Sequence, residues 1–290
     1  MGGGRGALHV PEKCRHVFFG SRPVPKGLPQ FFPAHTVCAV LKISLSVQRF
    51  TPQTEAKPRL ETHEVEVGER ASILDALFAL QRGPAPDLAF RYSCRVGMCG
   101  SCSMVVNGRE QLACSTLVKA VGSTLKIEPL RNLPVVRDLA VDLTPFFAAY
   151  KKTQPHFTPR ADLDPNAFYP IPHESSEGKA LNHQPQCIDC GACYSSCTAV
   201  TLKPRYAGPM ALHRALVVMV DPRDGRREDR MNVVAREDGA FGCRTLGNCR
   251  EVCPRGISPT QSIERLKRLA VLDQFRGMWG KIFGRKTAQG

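Results

Sequence analysis

Residues 41–48 alternate cleanly: Leu41, Ile43, Leu45 and Val47 are apolar, while Lys42, Ser44, Ser46 and Gln48 are polar. A period of two predicts a strand with one buried face. The run His63-Glu-Val-Glu-Val67 alternates again and stops at Gly68. Ser72–Leu80 changes period and puts Ile73, Leu77 and Leu80 on one helical face. Met104–Val106, the pair Asn107-Gly108 and Gln111–Ala113 predict a hairpin, and Thr124–Glu128 predicts a further strand. Together these elements form a small mixed sheet crossed by a helix.

Beyond Leu143 the pattern turns helical. Thr144 is placed to cap a helix over Pro145–Lys152, Gly208–Val220 reads as helical, and a last helix runs from about Thr260 to Phe283. A loop rich in proline and charge fills 154–177, and the charged stretch Asp221–Arg230 reads as a surface loop. Residues 1–40 show no period and hold five prolines. They read as a disordered extension or an upstream translation start. They are basic and acid-poor like a transit peptide, but lack its serine content and amphipathic spacing.

The length of 290 residues allows two domains, and 42% hydrophobic with 23% charged residues predicts a soluble globular chain. No window approaches about 18 consecutive apolar residues, so no transmembrane helix is expected. The net charge of +14 is uneven: +4 in residues 1–40, +2 in 41–145 and +8 in 146–290. A basic second half points to an acidic partner, a membrane surface or nucleic acid. Nucleic acid ranks last, because no nucleic-acid motif is present and one Trp and five Tyr leave little for base stacking.

Cysteine changes the picture most. There are 13, and all but Cys14 and Cys38 fall into three short clusters; those two have no ligand-like spacing and read as bystanders. Disulfide frameworks belong to small secreted domains, whereas tight C-x2-C repeats favour metal. Cys94, Cys99 and Cys102 are spaced C-x4-C-x2-C and are followed by Cys114, the plant-type [2Fe–2S] spacing. Gly97 and Gly100 lack a Cβ, so backbone N–H groups can approach the cluster sulfurs there. Structural zinc fits this loop poorly, since zinc sites usually pair two short C-x2–4-C knuckles.

The second group, Cys187, Cys190, Cys193 and Cys197, reads C-x2-C-x2-C-x3-C with Thr198 where Pro is usual. The third keeps Cys243, Cys249, Cys253 and Pro254 in the same register, with Leu246 at the second ligand position. In two-cluster ferredoxins the fourth cysteine of each run ligates the other cluster. That rule assigns Cys187, Cys190, Cys193 and Cys253 to a [4Fe–4S] cluster. It leaves Cys197, Cys243 and Cys249, three thiolates with an open corner at Leu246, for a [3Fe–4S] cluster. The predicted fold is α+β. A plant-type ferredoxin-like β-grasp domain spans 41–143, and an all-α domain with bacterial ferredoxin-like motifs spans 144–284.

Arg91-Tyr-Ser-Cys94 through Cys114, the Cys187–Cys197 run, and Cys243 through Cys253-Pro-Arg-Gly-Ile-Ser-Pro259 resemble one family. It is that of the iron–sulfur subunits of succinate dehydrogenase and fumarate reductase, and the likeness covers about residues 41–280. The 11-residue gap between Cys102 and Cys114 is typical of it. The resemblance implies an electron wire. A partner flavoprotein with covalent FAD oxidises succinate. Electrons then pass through [2Fe–2S], [4Fe–4S] and [3Fe–4S] to a quinone held against a membrane-anchor subunit. It also implies a peripheral place on the cytoplasmic face of the bacterial inner membrane.

This chain has no G-x-G-x-x-G after a strand and no acid/base constellation, so it is expected to bind neither FAD nor dicarboxylate itself. His173 and His183 read as surface residues. Ubiquinone-reducing members carry Pro after the position matching Cys197, with Trp soon after, and His after the position matching Cys243. Here Thr198-Ala-Val-Thr-Leu202 and Arg244 stand there. Thr198, Arg244 and Leu246 are therefore quinone-pocket candidates, and the departures favour menaquinone or a rearranged pocket.

The tail Ser262–Lys286 holds seven Lys/Arg and two acids among Ile263, Leu266, Leu269, Leu272, Phe275, Trp279 and Phe283. A basic amphipathic helix of this kind lies at a membrane interface or packs as an ordinary helix with a solvated face. Succinate oxidation and fumarate reduction use the same wire and are not separated by sequence. The competing readings from other classes are a stand-alone multicluster ferredoxin and a zinc-binding structural module.

Overall fold

The computed structural model describes residues 40–181 and 186–283. The segment 1–39, with Cys14 and Cys38, and also His183, lie outside the described residues. Strands β1 (Val40–Arg49), β2 (Arg59–Gly68), β3 (Ser103–Val106), β4 (Arg109–Leu112) and β5 (Thr124–Glu128) form a sheet in the order β2-β1-β5-β3-β4. β1 runs parallel to β5, with Leu45 opposite Leu125, and the other pairings are antiparallel. The β3–β4 hairpin turns through Asn107 and Gly108, both at positive φ (48° and 83°), as a two-residue hairpin turn requires.

The alternation along β1 buries Ile43, Leu45 and Val47 on one face. The same face continues to Arg49, only 6% exposed. A guanidinium there needs partners, and it donates to Glu61 at 3.0 Å, Asp138 at 3.1 Å and Asp87. Helix α1 (Ile73–Arg82) lies over this core through Ile73, Leu74, Ala76, Leu77 and Leu80. Its start is a capping box: the Asp75 N–H donates to Ser72 Oγ at 3.2 Å, and the Ser72 N–H donates to Asp75 Oδ2 at 2.9 Å. A short helix α2 (Val118–Val121) precedes β5, and a small β6–β7 pair (Val135–Arg137, Ala140–Val141) follows it.

The second half is built from α3 (Thr144–Lys152), α4 (Ser176–Leu181), α5 (Ala192–Ser195), α6 (Thr198–Leu202), α7 (Pro209–Met219), α8 (Arg227–Val234), α9 (Asn248–Glu251) and α10 (Pro259–Phe283). Long irregular connections such as 153–175 join them. The expected all-α domain is thus met only in part. Its core gathers Phe146, Tyr194, Tyr206, Leu212, Leu216, Ile263 and Leu266, and also draws in Leu130, Leu133 and Val141 from before α3.

Two local expectations are corrected. Thr144 is the first residue of α3, not its cap; the Asp142 carboxylate accepts its N–H at 2.8 Å and its hydroxyl at 2.6 Å. A carboxylate beside the positive end of a helix is a stronger acceptor than a hydroxyl. Asp221–Arg230 is not simply a surface loop. It runs into α8, and Arg230 is fully buried, paired with Asp224 and donating to the Gln154 carbonyl at 2.6 Å and to the His156 carbonyl. Burial is tolerable because the charge is neutralised and its donors find acceptors.

Candidate metal centres

The [2Fe–2S]-type loop leaves the sheet region after Phe90 and returns at β3. Arg95, Gly97 and Gly100 take positive φ (61°, 72° and 72°), which turns successive amides inward. Met98 N and Cys99 N each donate to Cys94 Sγ at 3.3 Å, Val96 N to Cys94 Sγ at 3.5 Å, and Gly97 N to Cys114 Sγ at 3.2 Å. Cys94 N donates to Cys99 Sγ and Cys114 N to Cys102 Sγ, both at 3.4 Å. The four sulfurs therefore share one amide network. Amides aimed at sulfur stabilise thiolate charge. The two ends of the site differ in environment. The Cys94 amide, with Ser101, draws the exposed Cys99 thiol down to about 6. Burial pushes the Cys102 thiol up to about 12.

The second and third cysteine groups are built on the same backbone turn. After Cys187, Asp189 takes φ +53° and Gly191 φ +78°, and α5 follows. After Cys243, Thr245 takes φ +59° and Gly247 φ +87°, and α9 follows. Residue by residue, Leu246 stands in the turn where Cys190 stands in the other. The helices that follow them touch, since Asn248 Nδ2 at the start of α9 donates to the carbonyl of Ser196, which ends α5, at 3.2 Å.

Burial raises five of these thiols. Cys187 is pushed up to about 12 and Cys190 to about 11, with the Cys253 charge adding to the latter. Cys193 is raised by burial and then by Cys190, Cys187, Cys249 and Cys253. Cys197 and Cys249 are also raised by burial, and among the thiols Cys243 adds to each. The electrostatic neighbours thus cross between the two runs. Cys253 acts on Cys190 and Cys193, while Cys197 acts on Cys249 together with Cys243. All 11 clustered cysteines are free thiols. Among the described residues no three or more His, Cys, Asp or Glu side chains are placed to hold a metal ion as they stand. An all-thiol donor set with inward amides fits iron–sulfur clusters, which supply one-electron transfer when bound.

A second surface feature lies beside the three-cysteine group. Thr198, Arg244 and Leu246 line one cavity with Cys197, Cys243 and Cys249. All three candidates are solvent-exposed, Leu246 by 63%. Arg244 makes no ion pair within the described residues; its charge helps to hold the Glu237 carboxyl below its ordinary range, after the larger effect of Lys203. His173 is exposed, beside Glu174. Several neighbours of this group carry no sequence signal. Thr260 Oγ1 lies 3.2 Å from Cys249 Sγ, Lys267 Nζ donates to the Cys243 carbonyl at 2.9 Å, and the buried Tyr206 phenol faces Cys243. Each is a lone residue with no spacing to mark it.

The last helix divides in two. Ile263, Leu266 and Ala270 are buried in the second core, while Val271, Leu272, Phe275 and Met278 are exposed. The side chains of Trp279 and Phe283 lie outside the described residues. No described helix is long and apolar enough to cross a membrane.

A 2Fe-2S iron-sulfur cluster binding domain family matches residues 44–148, and a 4Fe-4S dicluster domain family matches 184–257. The fumarate reductase iron-sulfur subunit of Mycobacterium tuberculosis is 34% identical over 243 residues, covering 82% of this chain and 98% of the relative. The succinate dehydrogenase iron-sulfur subunit of Coxiella burnetii is 32% identical over 228 residues, covering 78% and 95%. A chain of the Mycobacterium smegmatis Sdh1 complex in the apo form superposes with TM-score 0.73 at 31% identity, covering 82% of this chain and 98% of that one. With identities above 30% across nearly the whole of these relatives, and with both cluster domains in order, the chain belongs to the family of iron–sulfur subunits of succinate dehydrogenase and fumarate reductase.

Proposed function

We propose that this subunit carries single electrons from an FAD-containing flavoprotein to a quinone at a membrane-anchor subunit, as part of a succinate:quinone oxidoreductase. Cys94, Cys99, Cys102 and Cys114 hold [2Fe–2S]. Cys187, Cys190, Cys193 and Cys253 hold [4Fe–4S], and Cys197, Cys243 and Cys249 hold [3Fe–4S]. The observation that carries this reading is the repeated turn. Asp189 and Gly191 are matched by Thr245 and Gly247 in backbone conformation, yet a leucine stands where the first turn offers a cysteine. A thioether-free, aliphatic side chain offers iron no lone pair, so this corner stays without a protein ligand.

The chain's own residues do three things in this account. The inward amides of Val96 to Cys99 stabilise thiolate charge at the first site. Partial burial limits water at the second and third. The exposed trio Thr198, Arg244 and Leu246 forms the face toward quinone, and the departures at Thr198 and Arg244 favour menaquinone. The complex sits on the cytoplasmic face of the membrane through its anchor.

A second reading, quinol:fumarate reductase, draws on the Mycobacterium tuberculosis relative. Turnover of the purified complex separates the two: succinate-driven quinone reduction faster than quinol-driven fumarate reduction supports the first, and the reverse ratio the second. A chain that purifies alone, with zinc and no acid-labile sulfide, would overturn both.

A further inference from the structure

Gly97 and Gly100 share a loop and the same left-handed backbone, φ +72° each, but face different surroundings. A Cβ on Gly97 would meet only the Ser115 side chain, at 3.6 Å from its Cβ and 3.8 Å from its Oγ. A Cβ on Gly100 would lie 2.7 Å from Cys190 Cβ, 2.8 Å from Cys190 Cα and 3.0 Å from the Ile188 carbonyl. Separations below 3 Å to backbone cannot be relieved by a rotamer change; one segment must move. The bare Cα face of Gly100 is therefore pressed against the backbone that carries Cys190. Gly100 lies between Cys99 and Cys102, so the residue in contact with the second group belongs to the ligand loop of the first. Cys99, Gly100 and Ser101 form one wall of a cavity whose other wall is Ile188, Asp189 and Cys190, and Ile188 and Cys190 pack on the core of the first unit.

We propose that Gly100 is a positioning residue that sets the separation of the [2Fe–2S] and [4Fe–4S] sites, through direct contact with Cys190. This rests on the cluster assignment above. One electron leaves the reduced first site and enters the oxidised second across this contact, with no proton moved; reduced flavin of the partner, or dithionite in vitro, supplies it. Tunnelling falls exponentially with separation, so a side chain at 100 slows the step by forcing the walls apart. The same side chain at Gly108, at φ +83° in the β3–β4 turn with nothing within 4 Å, strains the backbone without touching Cys190 or a ligand loop.

The test is Gly100→Ala beside Gly108→Ala in the full complex. The readouts are the EPR signals of each cluster and the relaxation enhancement of reduced [2Fe–2S] by reduced [4Fe–4S], a dipolar effect that falls steeply with distance. Gly100→Ala is expected to keep both cluster signals and to lose much of the enhancement, with slower reoxidation of [2Fe–2S], while Gly108→Ala keeps the wild-type enhancement. Unchanged enhancement in Gly100→Ala, or an equal loss in both variants, overturns the proposal. If Gly100→Ala does not assemble, the wild-type complex decides: absence of enhancement between two clusters that are both present overturns it. Absence of a [4Fe–4S] signal in the wild type overturns the cluster assignment instead.

Discussion

Leu246 is the residue on which the chemistry turns. In the proposed assignment its spacing from Cys243 and Cys249 marks a missing ligand, and the turn beneath it, with Thr245 and Gly247 at positive φ, repeats that of Asp189 and Gly191. Because the backbone is already in place, Leu246→Cys is expected to convert the third site toward [4Fe–4S]. EPR of the oxidised complex checks this through loss of the three-iron signal; an unchanged cluster type would mean that Leu246 is not the open corner. A second residue-scale expectation concerns acid stability. The Arg49 hydrogen bond holds the Asp87 carboxyl below its ordinary 3.8. A carboxyl depressed in the folded state stabilises it above the unfolded value, and that contribution fades as pH falls through the folded value. Asp87 is 58% exposed, so the contribution is screened and small. Asp87→Asn is expected to flatten the fall in stability below about pH 3.8, read by urea unfolding at several pH values. An unaltered acid slope would show that the pair contributes nothing.

At the scale of elements, what the sequence revealed was what repeats. The alternation of Leu41 to Val47 and the helical face of Ile73, Leu77 and Leu80 gave β1 and α1 because each element buries a regular stripe. Regularity failed where charge was buried. Asp221–Arg230 reads as solvent-exposed by composition, yet Arg230 is fully buried because Asp224 and the carbonyls of Gln154 and His156 meet its donors. Those partners are distant or irregular in sequence, so no window could reveal them. Arg230→Ala leaves the Asp224 carboxylate buried without its partner and is expected to cost about 3–5 kcal/mol. Chemical denaturation checks this, and a loss near zero would show that Asp224 is rescued by water or by the neighbouring amides of Thr158 and Arg226, which already donate to it.

For the whole molecule, the cysteine spacing made the 2Fe-2S and 4Fe-4S domains legible, since ligand loops are local and their intervals are dictated by cluster geometry. How the two units meet was not legible. Ser195 accepts the Arg131 N–H and donates to the buried Glu110, both at 2.8 Å, and Arg109 reaches the Glu251 carbonyl at 2.7 Å. These contacts join residues far apart in the chain and follow no period. They hold the β3–β4 hairpin of the first unit against the second cysteine-bearing unit, and in the proposed function this docking aligns three separately encoded sites in one path.

The most direct test of that path is low-temperature EPR on the anaerobically purified complex, as isolated and after dithionite. A [3Fe–4S] signal is expected in the oxidised sample, and a [2Fe–2S] signal with a coupled [4Fe–4S] signal in the reduced one. An oxidised sample without a three-iron signal, from a preparation whose iron and acid-labile sulfide are intact, would contradict it.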